Sequence, residues 1–310
     1  VSYQKILSEG GGIHNTMYAT RKASDDDLLN VTIKRLDRHF KEGVLTCEVK
    51  SGYGTNLSEE FRLLSLINQL NDKHIIDVVP TCLAAHVTPK QYSSSSEYLE
   101  KIIDELIPNI KKNKLTDRID IFTEEKAFSV EESLKYLSEL KNDFDITVHA
   151  NQFSSGGVEV AIKSGAKSAD HLEVLNDKEI KLLSESNTSA VVLPGCSLGL
   201  GISFAPARKL LDGNCKLSIA TDWNPGSAPM GDLLHQASLL GSIEKLTNAE
   251  VFSAITFRAA DALGLNDRGR IEQDKIADFI GFETNDYREI LYYQGKLKPS
   301  LICKRGEIYN

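Results

Sequence analysis

Seven short apolar stretches, rich in β-branched residues, recur along the chain at residues 44–49, 75–85, 119–122, 146–148, 168–172, 190–193 and 217–220. Between them lie segments with apolar residues at helical spacing: 58–71, 97–112, 129–140, 157–163, 177–184 and 205–211. Another helix is predicted over 25–40 with Ser24 as its N-cap, and Ser129 with Glu132 has the spacing of a capping box. Strands that alternate with helices build a parallel α/β sheet. Seven of them in series behind a leading helix predict a (β/α)8 TIM-like barrel whose first strand is absent from the chain. The alternative, a doubly wound sheet, announces itself by a glycine-rich turn after its first strand. Gly10, Gly11 and Gly12 follow no strand and lack the G-x-G-x-x-G spacing, so they carry little weight as a phosphate loop. Two further helices are predicted over 231–246 and 249–263, and residues 269–280 read as a turn with short strands. The expected division is a barrel over 1–264 and a small β unit over 265–310.

A barrel of this type carries its chemistry at the carboxyl ends of its strands. Those ends here are Lys50, His86, Glu124, His149, His171, Pro194 and Asp222, and they hold three of the seven histidines in the chain. Asp222 closes an apolar run and is followed at once by Asn224-Pro225-Gly226. That pattern reads as a buried strand delivering one carboxylate to a rim before turning sharply. Carboxylates rarely end buried strands for packing reasons. Two imidazoles and a carboxylate on one rim are a fragment of a divalent-metal site, compatible with zinc, iron or manganese. His149 and Asp222 are the ligand candidates, and His171 is a ligand or a base. Taken singly, each histidine reads as a hydrogen-bonded core residue; three sorted to strand ends outweigh that reading. Lys50 is expected to pair with Glu48 or Glu124 rather than to form a carbamylated metal bridge. Tyr53, flanked by Gly52 and Gly54, offers a hydroxylated ring to a substrate or packs its own loop, and spacing leaves both open. His14, His39 and His74 are assigned to the surface. Asp25, Asp26 and Asp27 are a dipole-favoured helix start rather than a metal site.

Composition narrows the function. A net charge of −8 over 310 residues argues against a nucleic-acid or anionic-membrane surface. No apolar run approaches the length of a membrane span, and no signal-peptide pattern is present. Five widely spaced cysteines without a C-x-x-C pair argue against disulfides and against a thiolate metal site, which suits a cytoplasmic setting.

Seven segments then coincide with a known pattern: Glu9-Gly-Gly-Gly-Ile, Ala19-Thr-Arg, Val49-Lys-Ser-Gly-Tyr-Gly, Ala84-Ala-His, His149-Ala-Asn-Gln, Ser168-Ala-Asp-His-Leu and Ala220-Thr-Asp-Trp-Asn-Pro-Gly-Ser. In this order, over nearly the whole chain, they resemble the imidazolonepropionase family of the metal-dependent amidohydrolase superfamily. Ile276-Ala-Asp-Phe resembles that superfamily's closing β segment. The resemblance implies hydrolysis of the ring amide of 4-imidazolone-5-propanoate to N-formimino-L-glutamate, a step of histidine breakdown, with one divalent metal, zinc or iron. It implies His149 and Asp222 as metal ligands, His171 as the histidine that helps activate water, and Asp222 as the group that shuttles the proton. It implies substrate contacts at Tyr53, His86, Gln152 and Ser227, and product contacts at Asn224 and Gly226. Gln152 stands where some members have Glu, so it can hydrogen-bond substrate but cannot be a base. A homodimer is a possibility the superfamily offers. The family also takes two metal ligands from a His-x-His that this sequence lacks, expected about 20 residues before Val1. With it would lie the first strand, an arginine for the substrate carboxylate and half of the small β unit. The competing readings are another cyclic amidohydrolase or deaminase of the superfamily, and a truncated, non-catalytic remnant.

Overall fold

The computed structural model describes residues 13–54 and 56–309. The seven apolar runs form strands β1 (Thr46–Lys50), β2 (Asp77–Ala85), β3 (Arg118–Thr123), β4 (Asp145–Ala150), β5 (Ser168–His171), β6 (Ser189–Val192) and β7 (Leu217–Ile219). They make one parallel sheet in the order β1 to β7, each strand bonded to its neighbours in sequence. A doubly wound sheet reverses its order at a switch point. This order never reverses, so the sheet is the curled, partial barrel that the alternation of elements predicts. Gly10, Gly11 and Gly12 lie outside the described residues, as does the side chain of His14.

Both faces of the sheet are covered, which is why the runs are continuous rather than alternating. In β4 every residue from Ile146 to Ala150 is buried. Ile121, Val148 and Leu217 of the strands share one apolar core with Ile102, Ile110 and Val160 of the surrounding helices. The caps fall where the sequence places them. Ser24 Oγ accepts the Asp27 N–H at the start of Asp25–Lys41, and Ser129 and Glu132 cap Val130–Leu140 reciprocally.

Two expected helices are broken. The segment over 97–112 runs as Ser95–Lys101, a π-helical turn Ile102–Leu106, and Ile107–Asn113. Pro108, in the first turn of the last piece, lacks an N–H and its ring crowds the preceding turn, so the regular ladder cannot continue through it. The segment over 249–263 divides at Thr256 into Asn248–Ile255 and Phe257–Ala262. Three further helices, Ile13–Lys22, Pro194–Leu200 and Arg288–Tyr292, stand beside those that the apolar spacing predicts.

The tail forms an antiparallel sheet of β8 (Phe279–Gly281), β9 (Leu301–Lys304) and β10 (Glu307–Tyr309), in the order β10-β9-β8. Lys304 fastens it to the barrel. Its buried ammonium sits 2.6 Å from Asp278 and 2.8 Å from Asp77, the first residue of β2. Arg268 and Arg305 reach the same Asp77 carboxylate. The small sheet is thus tied to the end of the strands opposite the rim.

His39 is not a surface residue. It lies on the buried face of Asp25–Lys41 with Leu29 and Leu36, and meets Trp223 edge-on at 4.6 Å between ring centroids. The spacing from Leu29 through Leu36 to His39 is that of one helical face. His74 is also largely covered, with Nε2 3.2 Å from Asp37 Oδ1.

Candidate functional site

The strand ends converge on one cavity of about 1150 Å³. Tyr53, His86, His149, Gln152, His171, Asp222, Asn224, Gly226 and Ser227 all line it. The three imidazoles form an arc along the rim: His86 and His149 are 6.2 Å apart between centroids, and His149 and His171 are 5.2 Å apart. Tyr53 stands edge-on to His86 at 5.8 Å. Phe122 backs both His86 and His149 at 6.0 Å. Pro194 brings no chemistry to the rim; it opens the helix Pro194–Leu200.

The backbone at this rim is strained. Asn151, His171, Leu172 and Asp222 all have positive φ, at 53°, 85°, 69° and 48°. Non-glycine residues hold such conformations only where the surroundings over-determine them, most often at functional sites.

Beneath the rim lies a buried ionic network that the sequence reading missed. Lys50 Nζ is 2.6 Å from Asp120 Oδ2, 3.0 Å from Asp170 Oδ2 and 3.2 Å from Glu48 Oε2. Glu48 was one expected partner. Glu124 was the other and is not one: it accepts the N–H groups of Phe153 and Ser154 instead. Asp120 is fully buried, and its Oδ2 also lies 2.9 Å from His149 Nδ1. His149 is thereby turned so that Nε2 is the nitrogen left for the cavity. Burial works to raise the Asp120 carboxyl, but His149 and Lys50 hold it well below the usual carboxylate range. The signal for this network was present, since an Asp inside the apolar run 119–122 is as anomalous as Asp222.

Asp222 is the opposite case. Its Oδ2 lies 3.5 Å from Ser227 Oγ, and no lysine or arginine among the described residues forms an ion pair with it. Burial pushes its carboxyl up, against the pull of His171 and His149. A half-buried carboxylate without a cationic partner, beside imidazoles, supplies part of a donor set for a divalent cation. The turn after it is self-supporting: Asn224 Oδ1 accepts the N–H groups of Gly226 and Ser227 at 2.8 Å each. Those two N–H groups are therefore committed, and the Ser227 hydroxyl is the donor the turn presents.

Two imidazoles are held neutral, His39 buried and His86 half-buried. Burial, then the neighbouring His149, lowers His86 to about 4, and its Nδ1 faces the Gly52 carbonyl at 3.1 Å. Burial, then Arg38, lowers His39 to about 4. A histidine depressed by folding adds stability that is complete above its unfolded value of 6.5 and lost as pH falls toward 4. The urea midpoint is therefore expected to drop steeply between pH 7 and pH 5, and His39→Phe is expected to flatten that drop. Parallel profiles for the variant and the parent would contradict it.

Comparison with known proteins follows from this geometry. The profile of the amidohydrolase family matches residues 38–308. An imidazolonepropionase of Caldanaerobacter subterraneus is 41% identical over 298 residues, covering 95% of this chain and 72% of that protein. One from Bacillus cytotoxicus is 40% identical over 313 residues, covering 99% and 74%. One from Acinetobacter baumannii is 37% identical over 314 residues, covering 99% and 78%. Among solved structures, a zinc-bound adenosine deaminase of Xanthomonas campestris superposes with a TM-score of 0.74 at 17% identity, covering 99% of this chain and 74% of that one. A 5-methylcytosine deaminase of Klebsiella pneumoniae gives 0.75 at 14%, covering 96% and 78%. At such identities the structural likeness speaks for the fold.

Proposed function

Because the chain belongs to the imidazolonepropionase family of the amidohydrolases, its reaction is hydrolysis of a ring C–N bond in histidine degradation, and we propose the following roles for its residues. The observation that carries them is the convergence of Tyr53, the three rim imidazoles, Gln152, Asp222 and Ser227 on one cavity.

The substrate is 4-imidazolone-5-propanoate and the product N-formimino-L-glutamate. His86 holds the ring. Its Nδ1–H is directed at the Gly52 carbonyl, so the neutral imidazole presents Nε2 as an acceptor for a ring N–H. Tyr53 packs beside it and offers a hydroxyl. Gln152 commits its amide N–H to Cys196 Sγ at 3.2 Å, which leaves the amide oxygen to orient the substrate. The Ser227 hydroxyl faces the propionate arm, with Asn224 and Gly226 shaping the turn.

His149, through Nε2, and Asp222 are the residues that would hold one divalent cation, zinc or iron. Such a cation, when bound, supplies Lewis acidity that lowers the pKa of water to about 7. Asp222 accepts the proton of the attacking water and returns it to the leaving ring nitrogen. Burial works to lower His171, but Cys196 and Glu173 hold it well above the usual range. A positively charged His171 stabilises the oxyanion that develops at the ring carbonyl.

The alternative within the superfamily is amine release from an aminopurine or aminopyrimidine. Incubation with 4-imidazolone-5-propanoate, adenosine and cytosine separates the two. The expected result is a product one water heavier from the imidazolone alone. Ammonia from either amine, with the imidazolone untouched, would overturn the proposal.

A further inference from the structure

Two sets of three metal-competent side chains come together among the described residues, and they differ in one respect. Asp120, His149 and Asp170 already surround a cation, the Lys50 ammonium. His171, Glu173 and Cys196 surround no lysine or arginine; the charge there is the His171 imidazolium itself, 3.6 Å from Glu173, and it leaves with its proton when a metal takes the nitrogen. Their donor atoms, an imidazole nitrogen, a carboxylate oxygen and a sulfur, lie within 4.8 Å of one another.

The set is buried and under-used. The side chains of His171 and Glu173 are 4% and 3% exposed, and Cys196 is fully buried. His171 Nδ1 and Glu173 Oε2 are 3.6 Å apart, and neither makes a hydrogen bond. The remaining valences are oriented: Ser197 Oγ donates to Glu173 Oε1 at 3.0 Å, and Gln152 Nε2 donates to Cys196 Sγ at 3.2 Å. The first contact fixes Glu173 through the oxygen that does not face His171, and the second engages the sulfur itself. Orphaned buried polar atoms are costly, so a group that satisfies both at once is favoured.

We propose that His171, Glu173 and Cys196 form a second zinc site, separate from the cation held by His149 and Asp222. A thiolate, an imidazole and a carboxylate are the donors zinc prefers, whereas magnesium and calcium take oxygen alone. The absence of a C-x-x-C pair had argued against a thiolate site in sequence, but here the ligands come from the end of β5, the residues just after it, and the first turn of the helix Pro194–Leu200. On binding, Cys196 releases its thiol proton and His171 its Nδ1 proton to solvent, so two protons leave for each zinc. Of the three donors, His171 lines the cavity. Capture of His171 through Nδ1 withdraws the charge it directs at the reaction, so occupancy inhibits. The inhibition rests on the role proposed for His171; the binding does not.

The test is a cobalt titration of the metal-loaded protein beside a zinc inhibition curve, on the parent and on Cys196→Ser. Serine accepts the same hydrogen bond from Gln152, so the neighbouring wall is kept. The expected results are a thiolate-to-cobalt charge-transfer band that saturates at one equivalent in the parent and is missing in the variant. The zinc concentration for half-inhibition should rise at least tenfold in the variant. No thiolate band in the parent would overturn the site. A band with identical inhibition curves would overturn its inhibitory role. The optical readout stands even where the parent fails to turn over the imidazolone, so failure of this site and failure of the proposed reaction are told apart.

Discussion

Asp222→Asn is expected to lower kcat for ring opening by about 10³-fold, with no loss of fold. The substitution is nearly isosteric, so the cavity keeps its shape. Asp222 sits at φ 48°, and asparagine is among the residues that best tolerate the left-handed region. Backbone strain therefore cannot explain a loss. What disappears is the negative charge that would hold the cation and the carboxylate that would move the proton. The check pairs steady-state turnover with far-ultraviolet circular dichroism and a urea midpoint. A variant that keeps more than a tenth of the parent's kcat would remove Asp222 from the chemistry.

Lys50→Met is expected to destabilise the protein by about 3–5 kcal/mol, the cost typical of leaving a buried charge without its partner. Lys50 is the cation at the centre of Asp120, Asp170 and Glu48, and Asp120 is fully buried. Removal leaves these carboxylates to repel one another inside the barrel. It also frees Asp120 from the position in which it faces His149, so activity should fall with stability. Combining Lys50→Met with Asp120→Asn and Asp170→Asn removes most of the stranded charge. Replacing a whole buried ion cluster is often close to neutral, so the triple variant should recover more than half of the lost stability. Urea denaturation of the two proteins decides it: equal midpoints would mean that the network contributes no charge compensation.

The residues that line the cavity at the strand ends were legible in sequence because parallel strands buried on both faces read as continuous apolar runs. A polar residue at the end of such a run then stands out, and His86, His149, His171 and Asp222 were all found this way. The order of the strands followed from alternation with helices. What escaped depends on contacts between residues far apart in the chain. Lys50 and Asp170 meet across five strands of a curved sheet, and no local pattern pairs them. Asp120 carried a usable signal, a carboxylate inside an apolar run, that went unread. His39 was misplaced because its own helix also carries a long charged face, and only its register with Leu29 and Leu36 reveals burial. Cys196 and Glu173 carry no sequence signal, since they acquire meaning only through the fold of His171 between them. The hydrogen bonds that commit the N–H groups of Gly226 and Ser227 to Asn224 were not legible in the turn sequence after Asp222.

The proposed reaction requires a divalent cation, which His149 and Asp222 would help to hold. The most direct measurement is turnover of 4-imidazolone-5-propanoate before chelation, after exhaustive chelation, and after addition of one equivalent of zinc or iron(II), with metal content followed in parallel. The account predicts that activity and metal are lost together and return together, and that His149→Ala and Asp222→Asn regain neither. Full turnover by a chelated protein free of metal would contradict it.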